Sequence, residues 1–186
     1  QAAGHLSAFA DPSPETVKTL LDHLHAKDAP LRENVIASLG VLRLREAVKP
    51  LLELLKTEQN FQIRMAICES LGYIREREAV PALKERLERK DEVQFVKAGA
   101  ALALARMGDH SGEKFLLALF QSDSPQFQIM GLNGLVQLGN EDVGAHLATA
   151  LSSRYEEVWV AAVNFFPYLG PQRALPILQD RLRSTY

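Results

Sequence analysis

The chain has few of the features on which disulfides, membrane spans and nucleic-acid binding depend. Its 186 residues include a single cysteine, Cys68, which excludes a disulfide within the chain. No apolar run reaches the roughly 18 residues of a membrane helix, so we expect no membrane span. The formal net charge is −2, whereas a general nucleic-acid binder presents a basic face that neutralises phosphates. We therefore expect no nucleic-acid partner.

Motifs for catalysis and for cofactor binding are also missing. Neither a GxxxxGK[ST] phosphate loop nor a GxGxxG fingerprint occurs. His23 and His25 are two residues apart, so on a helix they would point in different directions and chelate a metal poorly. Cys68 has Ile67 and Glu69 as neighbours, which supply neither a base nor a positive charge for a reactive thiolate, and we expect it in the core. We predict no catalytic residue, no metal site and no cofactor, and hence that the protein is not an enzyme.

What the sequence does contain is a repeat of about 31 residues. One position in each repeat, called the anchor position below, recurs at steps of 32, 33, 31 and 31 residues. Leucine or phenylalanine stands seven residues after each anchor, and leucine stands nineteen residues after it. A fixed period of this size marks a stacked repeat protein, in which each unit buries its apolar face against its neighbours. The anchor residues are Arg32, Arg64, Lys97, Gln128 and Trp159.

Each repeat has the pattern of two helices. Apolar residues fall at offsets −1, +3, +7 and +10 from the anchor and again at +16, +19 and +23, a spacing typical of one helix face. Glycine stands where the first helix should end, at Gly108, Gly139 and Gly170. Proline falls where the second helix should begin, at Pro50, Pro81 and Pro176. No segment alternates with period two over a useful length, so we predict no strands.

The N-terminal residues fit the same pattern less well. Gln1 stands 31 residues before Arg32, and the first helix expected there, over residues 2–9, is short and weakly patterned. We therefore predict six units and about twelve helices in a single domain over residues 1–186, with a degenerate first unit. Because the chain begins without methionine and without a signal peptide, we expect a fragment of a longer chain or a processed product.

Nearly the whole chain resembles a known family, and two of the repeats match it best. Residues 63–74, IRMAICESLGYI, followed by residues 78–83, EAVPAL, resemble the short bacterial HEAT repeat that is shared with phycobilin lyases, and residues 31–40, LRENVIASLG, with residues 46–51, EAVKPL, are similar. In the later repeats the arginine is replaced by Lys97, Gln128 and Trp159. The resemblance implies an all-α, right-handed α–α superhelix with first helices on the convex side and second helices lining a concave groove. It also implies protein binding more often than catalysis.

The groove side of the second helices is the candidate partner-binding site. Offsets +17, +20, +21 and +24 share one helix face, opposite the buried stripe. The early units carry both signs of charge there, which would steer a partner, and the later units carry small and partly apolar residues, which a partner could desolvate. A solvated face without a ligand, or a site on the convex side at Ile129, Met130, Phe165 and Tyr168, are the alternatives. The candidate residues are Lys84, Glu85, Lys114, Leu117, Ala118, Gln121, Ala145, Ala148, Thr149 and Ser152.

Three functions stay open at the level of sequence. We expect first a non-catalytic scaffold that binds a partner peptide or domain along the concave face. The resemblance implies as an alternative a lyase-like or chaperone-like protein that acts on a tetrapyrrole-carrying protein, and a structural spacer is the third. Iron-binding HEAT-like hydroxylases use His-Glu dipeptides, and no histidine here precedes a glutamate. The sequence does not fix the partner's identity or the oligomeric state.

Overall fold

The computed structural model describes residues 12–139 and 142–184, and within them every regular element is a helix. The first helix expected over residues 2–9 lies outside the described residues, and the eleven α-helices that follow it match the predicted two per unit. The helices are α1 (Pro14–Asp22), α2 (Ala29–Val41), α3 (Val48–Thr57), α4 (Phe61–Ile74), α5 (Val80–Glu88), α6 (Gln94–Arg106), α7 (Glu113–Phe120), α8 (Pro125–Leu138), α9 (Val143–Ala150), α10 (Glu156–Phe165) and α11 (Pro171–Ser184).

The helices stack as a solenoid. The first helices pack in a row, α2 on α4, α4 on α6, α6 on α8 and α8 on α10, and each second helix also packs on the first helix of the next unit. Among the first helices the stacking is closest between α4 and α6, where a Cβ atom added to Gly72 would lie 2.6 Å from Ala103 Cα. The prediction of an all-α repeat array is confirmed.

The core follows the predicted period. Leu39, Leu71 and Leu104, seven residues after their anchors, are completely buried. The core position predicted at offset +16 of the second helix is wrong in the later units, because that offset is Glu113 in α7 and the 55% exposed Leu175 in α11. Offset +15 is the more regular core position of the second helix, since the residues there are buried in all five units from α2 onward. They are Ala47, Ala79, Gly112, Val143 and Ala174.

In the five units from α2 onward, the first helix is followed by a residue with a positive φ angle, always at offset +11. Gly108, Gly139 and Gly170 have φ angles of 73°, 70° and 72°, as the glycine pattern predicted. The earlier units have Arg43 and Arg75 at this offset, with φ angles of 52° and 61°. The left-handed conformation costs a residue with a Cβ atom about 1–2 kcal/mol. The turn geometry therefore belongs to the repeat itself and is kept even where glycine is absent.

One predicted helix start is wrong. Pro81 is the second residue of α5 and Pro50 the third of α3, as expected, but Pro176 lies inside α11. That helix begins five residues earlier at Pro171, directly after the left-handed Gly170. A proline is well suited to the first helical position, so Pro171 supplies the start that the spacing had assigned to Pro176.

Candidate partner-binding cavity

The anchor side chain binds the joint, the segment in which the second helix of one unit turns into the first helix of the next. Arg32 Nη1 donates to the carbonyl of Ala26 at 2.8 Å, and Arg64 Nη1 donates to the carbonyl of Gln59 at 2.7 Å. Gln128 Nε2 does the same to Ser122, at 2.6 Å. Carbonyls at a helix C-terminus have no partner inside the helix. Arg32, Arg64 and Gln128 each satisfy one such carbonyl.

In the early units the anchor arginine also crosses to the following joint. Arg32 Nη2 lies 3.2 Å from Glu58 Oε2, and Arg64 Nη2 lies 2.7 Å from Glu92 Oε1. Arg86 Nη1 reaches the other oxygen of Glu92 at 3.2 Å. Successive joints are thus tied together by ion pairs, one of them a buried cluster of three side chains.

The Glu92 carboxylate is held in its charged form by this cluster. Burial alone would raise its pKa, but hydrogen bonds from Arg64, from the Val93 amide and from Arg86 outweigh burial and hold the pKa below the ordinary glutamate value. Only 3% of the Glu92 side chain is exposed. A buried carboxylate is stable there only because both guanidinium groups compensate its lost hydration.

A cavity opens between two later joints. It has a volume of about 980 Å³ and lies between residues 121–128 and 148–155, with α11 along one side. Phe120, Leu151 and Ile177 contribute apolar surface, and Asp123 and Asp180 contribute carboxylates. Gln128 also lines it, at the anchor position that carries arginine in the early units. We call this space the joint cavity.

One wall of the joint cavity is fixed by contacts between the two joints. Tyr155 Oη donates to the carbonyl of Asp123 at 2.8 Å and accepts from Arg154 Nη2 at 2.8 Å. Arg154 Nη2 also lies 3.4 Å from Asp123 Oδ1, and its guanidinium carbon lies 4.8 Å from the centre of the Tyr155 ring. The Arg154 and Asp123 side chains are largely exposed, so their ion pair is weak, and the tyrosine hydrogen bond is the firmer link.

Four of the ten predicted site residues line the joint cavity: Gln121, Ala148, Thr149 and Ser152. Two early ones are engaged elsewhere. Lys84 Nζ lies 2.9 Å from Asp109 Oδ2 in the next unit, and Glu85 Oε1 lies 3.2 Å from Arg86 Nη2. Leu117 is half-buried and packs against the core. The structure leaves Lys84, Glu85, Lys114, Leu117, Ala118 and Ala145 outside the cavity.

The Lys84–Asp109 contact links two units. Burial alone would raise the pKa of Asp109, but hydrogen bonds from Ser111 and from Lys84 outweigh burial and lower it. Lys84 therefore serves the stacking of the array as well as its surface charge.

The joint residues Asp123, Gln128, Arg154 and Tyr155 and the α11 residue Ile177 are absent from the predicted site, whereas Asp180 lies at offset +21 on the predicted groove face. The prediction rested on one face of each second helix, whereas the cavity is built by the ends of those helices and by a third unit. The loss of arginine at Gln128 was the available signal. In the sequence alone it stands as a departure from the repeat pattern.

A second apolar surface lies along the starts of the first helices. The Phe61 and Phe95 rings are 6.5 Å apart and the Phe95 and Phe127 rings 4.7 Å apart, measured between ring centres. Phe61 is 40% exposed and Phe95 is 37% exposed. These rings form a continuous row across three units, which the period alone did not indicate.

Groups for covalent or metal chemistry are poorly placed. Cys68 is completely buried, and burial raises the pKa of its thiol to about 12, so little thiolate exists at neutral pH. In the described residues no three His, Cys, Asp or Glu side chains are grouped so as to hold a metal ion. No helix between residues 12 and 184, leaving out the gap at 140–141, is long and apolar enough to cross a membrane.

Comparison with known proteins decides the family. The family model described as HEAT repeats matches residues 1–69, 17–105 and 50–126. The chain belongs to the HEAT-repeat family. The HEAT matches end at residue 126, so most of the joint cavity lies in units that diverge from the family pattern. A search of curated protein sequences finds none that matches the chain.

Solved structures resemble this HEAT-repeat protein in fold. The complex of CpcE and CpcF of phycocyanin lyase from Nostoc sp. PCC7120 is 23% identical with a TM-score of 0.58, over 91% of this chain and 70% of that chain. Human deoxyhypusine hydroxylase is 18% identical with a TM-score of 0.41, over 91% of this chain and 78% of the other. An engineered protein is 20% identical with a TM-score of 0.47, over 89% and 84%. The first likeness supports the fold.

Proposed function

We propose that this HEAT-repeat protein is a non-catalytic scaffold that binds a segment of a partner protein in the joint cavity. The observation that carries the proposal is a cavity of about 980 Å³ that combines apolar surface with carboxylate, amide and hydroxyl groups. Sites that bind ligands are concave, mostly apolar and supplied with a few polar groups. Within the groove expected from the sequence, the proposed site is therefore confined to the later units.

A binding role fits the chemistry of the cavity better than a catalytic role. The cavity lining includes no histidine and no cysteine, so it offers neither an imidazole base nor a thiol nucleophile. Ser152 and Ser153 lie there without either partner. Apolar side chains beside exposed carboxylates are instead typical of surfaces that exclude water from a bound chain and orient it by charge.

The test is a single bulky charge placed in the cavity. Ala148 is exposed and lines the cavity, so Ala148→Arg adds volume and charge there without disturbing the core. Ala37→Arg is the matched control, since Ala37 is an exposed alanine on the first helix of an early unit. We expect partners captured from the source cell by the wild-type chain to be lost from Ala148→Arg and kept by Ala37→Arg.

Two results would contradict the proposal. Equal capture by both variants would place the site elsewhere, and the row of exposed phenylalanines at Phe61 and Phe95 would be tested next. The alternative, action on a tetrapyrrole-carrying protein, is tested by adding a bilin and recording its absorbance. We expect the absorbance spectrum of the bilin to stay that of the free pigment. A spectral shift that is abolished in Ala148→Arg would favour the pigment-handling function over the scaffold.

A further inference from the structure

The joint cavity lies where the early units place a guanidinium group. Arg64 Nη1 binds the joint before it and Arg64 Nη2 binds Glu92 of the joint after it, and Arg32 spans its two joints in the same way. In the cavity that position is held by Gln128, whose amide reaches the carbonyl of Ser122. Glutamine is shorter than arginine and carries no charge. The Gln128 side chain therefore does not bridge the two joints.

The groups around this space favour a cation. Asp123 and Asp180 line the cavity with one cationic side chain, Arg154, so the lining carries a net charge of −1. Helix α7 ends at Phe120 and helix α9 ends at Ala150, and both ends lie at the cavity. The C-terminus of a helix carries about half a negative charge, which stabilises cations nearby.

The apolar surface suits the stem of a long side chain. Phe120 and Ile177 present hydrocarbon, and the Tyr155 ring is held in place by its hydrogen bond to Asp123. Arginine buries its methylene stem against such surface and stacks its planar head on aromatic rings. Arg154 lies over the Tyr155 ring, so this ring already stacks with a guanidinium group of the chain itself.

We propose that the joint cavity binds an arginine side chain of a partner polypeptide, which takes the place that the anchor arginine occupies in the early units. The inference rests on the proposed function and names the chemistry of the partner: an arginine next to apolar residues. Its guanidinium group pairs with Asp180 and with the carbonyl ends of α7 and α9. Arginine is favoured over lysine because its fork of donors matches carboxylate and carbonyl oxygens together.

The experiment is a titration of the ¹⁵N-labelled chain followed by nuclear magnetic resonance. The probes are three acetylated peptides of sequence GSLXLSG in which X is arginine, lysine or citrulline, the neutral analogue of arginine. We expect the arginine peptide to shift the amides of Thr149, Ser152 and Tyr155, with an affinity about tenfold above that of the citrulline peptide, since the charged hydrogen bonds are the stronger ones. The lysine peptide is expected between the two.

Variants of the cavity sharpen this test. Gln128→Arg supplies the anchor arginine from the chain itself and is expected to weaken the arginine peptide by about tenfold, because both guanidinium groups compete for one space. Gln62→Arg, on the exposed side of α4, is the matched control and is expected to change nothing. Asp180→Asn is expected to weaken the arginine peptide by up to about fivefold, the range of an exposed ion pair, and to leave the citrulline peptide unchanged.

Three results would overturn the inference: equal affinities of the arginine and citrulline peptides, unchanged affinity in Gln128→Arg, or no cavity shifts at millimolar peptide. Should Gln128→Arg fail to fold, the comparison of the arginine and citrulline peptides still decides together with Asp180→Asn, an exposed position outside the core, where an unchanged affinity for the arginine peptide would overturn the inference. If these tests fail while Ala148→Arg still loses the natural partner, the scaffold stands and only its preference for arginine is wrong.

Discussion

The early and the late units of this array share a fold but are joined differently. In the early units an arginine at the anchor position ties each joint to the next through Glu58 or Glu92, whereas Gln128 ends at its own joint. Residues 1–93 carry 29 Lys, Arg, Asp and Glu side chains, and residues 94–186 carry 15. The joints that follow Arg32 and Arg64 are thus held by charge, whereas the joints on either side of Gln128 enclose a cavity. In a repeat protein, departures from the pattern locate a site better than the pattern does.

The largest expected effect tests whether the two halves differ in their cores. Leu71 and Leu135 occupy the same offset in an early and a late unit and are 0% and 1% exposed. Truncating either to alanine should lower the free energy of unfolding by about 2–5 kcal/mol, the usual range for a buried leucine. Urea denaturation of both variants checks this. A much smaller loss at Leu135 would mean that the halves differ in packing as well as in their joints.

The second prediction converts an early joint into a late one. Arg64→Gln keeps a donor for the Gln59 carbonyl but removes the charge that compensates Glu92. We expect a loss of about 1.5–3 kcal/mol, the range for a hydrogen bond to a charged group. Arg45→Gln is the control, because the Arg45 side chain in its ion pair with Glu76 is 82% exposed. Equal losses of stability in Arg64→Gln and Arg45→Gln would show that burial of the Arg64–Glu92 ion pair contributes nothing to stability.

The third prediction concerns acid. The folded-state pKa of Glu92 is lowered, so the stability it contributes is present above the unfolded-state value near 4.5 and is lost as pH falls through the lower folded-state pKa. Glu69 acts in the opposite direction, because burial raises its pKa. Glu92→Gln should therefore lose stability at pH 7 and show a flatter decline below pH 4.5 than the wild type. Thermal unfolding across the acid range measures both slopes, and parallel curves would be evidence against the ion cluster.

The fourth prediction uses the left-handed position. Arg75 has φ 61° where the late units have glycine, so Arg75→Gly should stabilise the array by about 0.5–1 kcal/mol. The reciprocal change, Gly139→Ala, should destabilise it by about 1 kcal/mol, since a Cβ atom there meets no neighbour and only the backbone is strained. A thermal shift of the same sign for both variants would contradict the backbone argument.

The smallest expected effect is at the surface. Lys84→Ala removes the partly exposed ion pair with Asp109. It should change the free energy of unfolding by about 0.5 kcal/mol or less. The measurement is chemical denaturation at low and at high salt. A loss that persists at high salt would indicate that the lysine stem, and not its charge, holds the two units together.

Most of the fold could be predicted from the sequence because a repeated helix pattern is local. The buried Leu39, Leu71 and Leu104 and the left-handed Gly108 follow from spacing alone. Arg75 in the same conformation could not be predicted, because arginine itself gives no sign of a positive φ. Pro176 was misplaced because the spacing gave its helix a second possible start, at Pro171.

The site was harder to predict than the fold, for a physical reason. The joint cavity depends on the lengths of side chains from three successive units, and contacts such as Tyr155 to Asp123 join residues 32 positions apart. A pattern along one helix face places Ala148 and Ser152 but says nothing about the joints between helices. Glutamine in place of arginine at position 128 was the sequence feature that marked the cavity. Its meaning became clear only from the structure, where Arg32 and Arg64 bridge successive joints.

The crossing ion pairs also have a mechanical consequence. The ion pair between Arg64 and Glu92 restricts the movement of neighbouring units relative to each other. At the joint cavity the neighbouring units are linked instead by an exposed hydrogen bond from Tyr155 to the carbonyl of Asp123. Bending or stretching the array is therefore expected to concentrate there and to change the width of the cavity. Tension between the two ends of the molecule would in this way change the affinity of the cavity for its ligand.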